Sequence, residues 1–93
     1  MRTVQSLISL GISVLVLSGC GVQSVTQCTT EPEDTWLDQE TFQSSLTDKG
    51  YEISEFKVTE GNCYEIYGHN QAGQKVEIYF NPVDGSIVKE EIE

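Results

Sequence analysis

The sequence predicts an α+β fold, with one N-terminal helix packed on one face of a four-stranded antiparallel β-meander. Three observations predict it. Asp38 to Gly50 carries helix signals at both ends, and four short runs rich in β-branched and aromatic residues follow. Turn residues divide those runs so closely that neighbouring strands must pair antiparallel.

The chain of 93 residues opens differently. Arg2 is the only charge ahead of an apolar stretch from Val4 to Leu17. As a helix rising ~1.5 Å per residue that stretch reaches roughly 21 Å, short of the ~30 Å hydrocarbon core. A basic start, a short apolar run and a small-residue exit describe a secretory signal peptide over residues 1–19. The exit reads Leu17-Ser18-Gly19-Cys20 and resembles the lipobox of bacterial lipoproteins. That resemblance implies a diacylglycerol thioether on the Cys20 thiol, cleavage before it, and acylation of the new amino group with a fatty acid such as palmitate. Several acyl chains hold a protein to a membrane where one does so only marginally. Gly21 stands where an aspartate would signal inner-membrane retention, so the expected location is the cell envelope, on the periplasmic face of the outer membrane in a Gram-negative cell.

The mature chain from Cys20 is acidic. Four lysines (Lys49, Lys57, Lys75, Lys89) face fifteen acids, a formal side-chain charge near −11. Nucleic-acid binding is built from Lys and Arg contacts to phosphate, so no nucleic-acid partner is expected. The acidity steers a basic partner or simply keeps the protein soluble. Cys28 and Cys63 remain after lipidation, and two thiols in an exported chain predict a disulfide. Closing a loop of that length contributes about 4 kcal/mol in the chain-entropy model. A zinc site from Cys28, Cys63 and His69 matches no known ligand spacing.

Residues 20–35 read as the lipidated cysteine and a polar tether, and residues 36–93 as the domain. Asp38 is the expected N-cap, with Leu37 and Phe42 placed as a hydrophobic staple. Phe42 and Leu46 share a helical face, and Gly50 closes a helix from about Gln39 to Lys49. The strands begin with "YEISEFKVTE", then "CYEIYGH", "KVEIYF" and "SIVKE". A three-residue loop at 71–73 places Ile66 opposite Ile78 and Tyr64 opposite Phe80, on one face with Val76 under the helix. For the first hairpin, a two-residue Gly61-Asn62 turn would put Val58 opposite Glu65. A three-residue Glu60–Asn62 loop puts it opposite Tyr64, and burial favours the second. Tyr51 and Ile53 are out of phase with Phe56 and Val58, which predicts a bulge near Ser54-Glu55. The outer face then carries Glu65, Tyr67, His69, Lys75, Glu77 and Tyr79.

No phosphate-binding loop, dinucleotide fingerprint or nucleophile elbow is present. Aligning Gly85 with a calcium loop puts Phe80 and Pro82 where carboxylate ligands belong, so no metal site is expected there. His69 has no serine or free cysteine near it in sequence, and no catalytic residue or cofactor is expected. Tyr67 and Tyr79, with His69, form a candidate partner-binding face, although tyrosine is also a common strand former.

The order of these elements resembles the PepSY domain, in its short second-type variant. The matching features are the helix ending at Gly50-Tyr51, the Cys63-Tyr64-Glu65-Ile66 strand and Gly73 before Lys-Val-Glu-Ile-Tyr. The Asn81-Pro82-x-x-Gly85 turn and Ile87-Val88 complete it, with Asn81 where the family more often has Asp. The resemblance covers about residues 36–90. It implies a non-catalytic module that restrains or regulates an envelope peptidase. The sequence carries no peptidase of its own, so the implied partner is a separate envelope protein. The competing expectation is a structural or stress-related envelope lipoprotein with no peptidase client.

Overall fold

The computed structural model describes residues 25–93; the expected leader and Cys20 lie outside the described residues. A 3-10 turn at Glu33–Thr35 leads into helix α1, Gln39–Asp48. Four strands follow: β1 Glu52–Val58, β2 Tyr64–His69, β3 Lys75–Phe80 and β4 Ile87–Ile92. They form one antiparallel sheet in the order β1-β2-β3-β4.

Both ends of α1 are set by local chemistry. The Asp38 carboxylate accepts from the Thr41 backbone N–H at 3.0 Å, satisfying one of the helix's free amides. The helix stops one residue before the expected Lys49, which serves as C-cap. Beyond it Gly50 adopts a φ of 102°, where a side chain would be strained. That conformation lets the Tyr51 N–H reach back to the Leu46 carbonyl (3.1 Å) and the Gly50 N–H to Thr47 (3.0 Å), a Schellman closure.

The strand register follows the burial argument. Val58 pairs with Tyr64, Phe56 with Ile66, Ile66 with Ile78 and Tyr64 with Phe80. The irregularity between Ile53 and Glu55 brings Ile53 back into phase with the core. Phe42 and Leu46 of α1 pack with Tyr64, Ile66, Val76, Ile78 and Phe80, and Trp36, Tyr51, Ile53 and Phe56 seal the margin. Phe42 is the hub. Its ring centroid lies 5.0 Å from Phe80, 5.2 Å from Tyr64 and 6.4 Å from Phe56. Each such pair adds ~0.5–1.5 kcal/mol beyond area burial. Val58 has the expected partner but is 39% exposed, because β1 is an edge strand and α1 does not reach its end.

The segment preceding the helix is bound along the sheet's end. Cys28 and Cys63 form a disulfide. The Cys28 N–H donates to the Gly61 carbonyl (3.0 Å), and the Asn81 side chain donates to the Cys28 carbonyl (3.1 Å). Further on, the Trp36 indole donates to the Glu31 carbonyl, and the Tyr64 hydroxyl to the Leu37 carbonyl. In the first hairpin the left-handed position is Asn62, at φ 62°, not the glycine. Gly61 is needed for another reason: a Cβ there would lie 1.8 Å from the Thr26 carbonyl oxygen. The turn is shaped to receive the incoming chain.

Cys28 and Cys63 are 35 residues apart, so reduction frees a large loop in the unfolded chain. Reduction is expected to cost ~2–5 kcal/mol. Thermal melts with and without a thiol reductant should show a clearly lower Tm in the reduced protein. Equal melting temperatures would contradict a structural disulfide.

Candidate functional site

The sheet face away from α1 is a grid of polar and aromatic side chains. Strand pairing sets Lys57, Glu65, Tyr79 and Lys89 side by side across the four strands. The adjacent row is Glu55, Tyr67, Glu77 and Glu91. The two central strands therefore present a checkerboard, with Glu65 diagonal to Glu77 and Tyr67 diagonal to Tyr79.

Two of the three expected face residues meet here. The hydroxyls of Tyr67 (2.9 Å) and Tyr79 (2.8 Å) both donate to Oε2 of Glu77. His69 does not join them. It sits at the strand's far end beside Lys75, with Nδ1 3.3 Å from Glu52 Oε1. Lys57 rests over the Tyr67 ring, 5.5 Å from its centroid, and Lys89 over Tyr79 at 5.7 Å. Lys89 Nζ also lies 3.5 Å from Glu91. Each lysine is thus parked on an aromatic face, an arrangement worth ~0.5–1 kcal/mol at exposed sites.

Glu65 is the residue that sequence reasoning placed on this face without giving it a role. It is only 3% exposed, and among the described residues its Oε2 has no hydrogen-bond partner. The two phenols are spent on Glu77, and a buried carboxylate without a donor is costly. A proton on Glu65 removes the difficulty, because the neutral acid can donate to Glu77. Burial, and then that hydrogen bond to Glu77, push the Glu65 carboxyl above its ordinary value. Glu77 moves the other way, held below its ordinary value first by the hydrogen bond from Glu65 and then by the two phenols. Both phenols are held protonated, Tyr67 chiefly by its bond to Glu77 and Tyr79 chiefly by burial. The opposed shifts couple the two acids, with Glu65 the one that keeps its proton to higher pH. The signal available in sequence was the pair of glutamates on two interior strands, flanked by tyrosines at every second position.

A groove of about 490 Å³ crosses this face at the disulfide end. Glu65, Tyr79, Lys57, Lys89, Val25 and Thr26 are among the residues that line it. Its size suits a small ligand or a single side chain. The discarded zinc reading has no thiolates to use, since Cys28 and Cys63 are bonded to each other. Among the described residues no group of three or more His, Cys, Asp or Glu side chains could hold a metal ion.

The shared proton makes stability depend on pH. Below the ordinary carboxyl value of 4.5, Glu65 is protonated in both folded and unfolded chains, and its contribution is fully present. As pH rises past 4.5 the unfolded chain releases the proton and the folded chain keeps it, so stability falls until Glu65 ionises in place. Glu77 works oppositely and loses its contribution as pH falls below 4.5. Glu65→Gln mimics the neutral acid, because its amide can still donate to Glu77. Denaturant unfolding should show near-equal stabilities at pH 4.5 and a growing advantage for Glu65→Gln toward pH 8. A pH-independent difference would contradict the shared proton.

The family model for the peptidase propeptide and YPEB domain, PepSY_2, matches residues 7–91, farther toward the amino terminus than the 36–90 span whose motifs suggest the family. No curated protein and no solved structure gives a significant match. The matched span includes the helix, the first three strands, β4 as far as Glu91 and the checkerboard face, and the chain belongs to the PepSY_2 family.

Proposed function

We propose that this chain is a lipid-anchored, non-catalytic binding module of the cell envelope that restrains or regulates a peptidase. The observation that carries the reading is the membership in a family of peptidase-propeptide domains. The outer sheet face adds physical support. It presents two tyrosine rings, two lysines and a groove on one side of the sheet, while the helix fills the other. Tyrosines are enriched in protein interfaces, where the ring buries apolar area and the hydroxyl keeps a polar partner.

Anchoring rests on the Leu17-Ser18-Gly19-Cys20 motif. The anchor would hold the domain near the membrane, on the periplasmic side in a Gram-negative cell. There the tether and disulfide orient its face toward a client. A peptidase bound this way would lose access to substrate and regain it on release.

Two experiments test the reading. Photocrosslinking amino acids placed at positions 67 and 79 in cells should capture a peptidase of the envelope. Recovery of lipid alone, or of no protein, would remove the main support and favour a structural envelope role. Separately, Cys20→Ser should abolish metabolic palmitate labelling and block maturation; labelling that persists would place the anchor elsewhere.

A further inference from the structure

A proton accommodates Glu65 in the fold, but nothing in the packing requires an acid there. Its carboxyl is buried beside a second acid, each of the two nearby phenols already has its acceptor, and Oε2 is left without a donor. An apolar residue at this position would remove the difficulty altogether. Glu65 also lines the groove.

The groups around it select the chemistry of an entrant. Glu65 is an acceptor in the groove's lining, and Glu77 lies diagonal to it on the neighbouring strand. Glu60 also lines the groove, and the chain as a whole carries a formal charge of −10, so the field draws cations. The two lysines do not fill that need from within. Lys57 lies over Tyr67 and Lys89 over Tyr79, and Lys89 is also paired with Glu91. Val25, Val58 and the Tyr79 ring provide apolar surface along the groove, suited to a methylene stem.

We infer that the groove over Glu65 is a binding site for a primary ammonium group, a lysine side chain or amino terminus presented by a protein partner. The ammonium takes the place of the proton shared between Glu65 and Glu77. One of its N–H groups donates to Glu65; the Glu65 proton leaves to solvent, and charge balances because a cation enters as a proton departs. An ammonium is a compact cationic donor, and neither a carboxylate nor a neutral amide can make that exchange. The inference deepens the docking role proposed for this face by naming what the partner presents. It supplies a pH dependence as well: the entrant competes with the proton, so binding strengthens as pH rises. The groups facing Glu65 in that competition are Lys57 on β1, Tyr67 on β2, Glu77 and Tyr79 on β3, and Lys89 and Glu91 on β4.

The test uses the full chain in detergent micelles with Nα-acetyl-lysine methylamide as probe. NMR should show saturable shifts at the Glu65 and Tyr79 amides. Calorimetry at mildly acidic pH, in two buffers of different ionisation enthalpy, should show a net release of protons on binding. Glu65→Gln should weaken binding ~tenfold or more, as expected for losing a hydrogen bond to a charged group. It should also abolish the proton release. A probe acetylated at Nζ should not bind. Equal binding of the acetylated probe, or binding without proton release by the unaltered protein, would overturn the inference. So would binding of an acetyl-glutamate methylamide that Lys57→Gln and Lys89→Gln abolish, since that result assigns the groove to anions. None of these outcomes depends on a peptidase being captured at positions 67 and 79, so the two readings can fail separately.

Discussion

A helix of ten residues cannot cover both faces of a four-stranded sheet, and most of this molecule's design answers that constraint. One face receives α1 and becomes the core, with Phe42 and Leu46 set into Tyr64, Ile66, Val76, Ile78 and Phe80. The other face has no second layer among the described residues. An apolar surface there would invite association, while a wholly charged one would place like charges directly across strands. The observed solution is the checkerboard of glutamates and tyrosines, in which aromatic rings carry the area and phenols neutralise the field of Glu77. The remaining acid, Glu65, keeps one oxygen without a partner among the described residues, and burial raises its carboxyl above the ordinary value.

That polar face connects stability with function. The protonated pair stabilises the fold in mild acid, and the same buried oxygen gives the groove its selectivity under the proposed ammonium exchange. Functional sites often retain a locally unfavourable group of this kind because the group does something that a packed apolar residue could not. Lys57 and Lys89 line the same groove, with their ammoniums over the Tyr67 and Tyr79 rings.

The segment from Val25 to Trp36 contributes in a different way. A polar stretch with no regular strand would ordinarily detach from so small a domain. Here the disulfide, the close approach at Gly61 and the Asn81 side chain hold it at the sheet's end. The cross-link therefore does two things at once. It restricts the unfolded chain, and it positions Val25 and Thr26 as a wall of the groove.

The sequence by itself determined the local and periodic features: the Asp38 cap, the Gly50 closure, the four strands, the register of the first two hairpins and the bulge between Ile53 and Glu55. These are legible because each depends on residues near in sequence or on a two-residue alternation that permits only one buried face. The pairing of Cys28 with Cys63 was legible for a different reason, the small number of thiols left to combine. Only the tertiary structure decided that Glu65 is buried, that Tyr67 and Tyr79 converge on one oxygen of Glu77 while His69 stands apart, and that Gly61 is a glycine because Thr26 passes over it. Burial on an outward face and the contact of segments 35 residues apart arise from how neighbouring strands and the returning chain fill space, which no local pattern encodes.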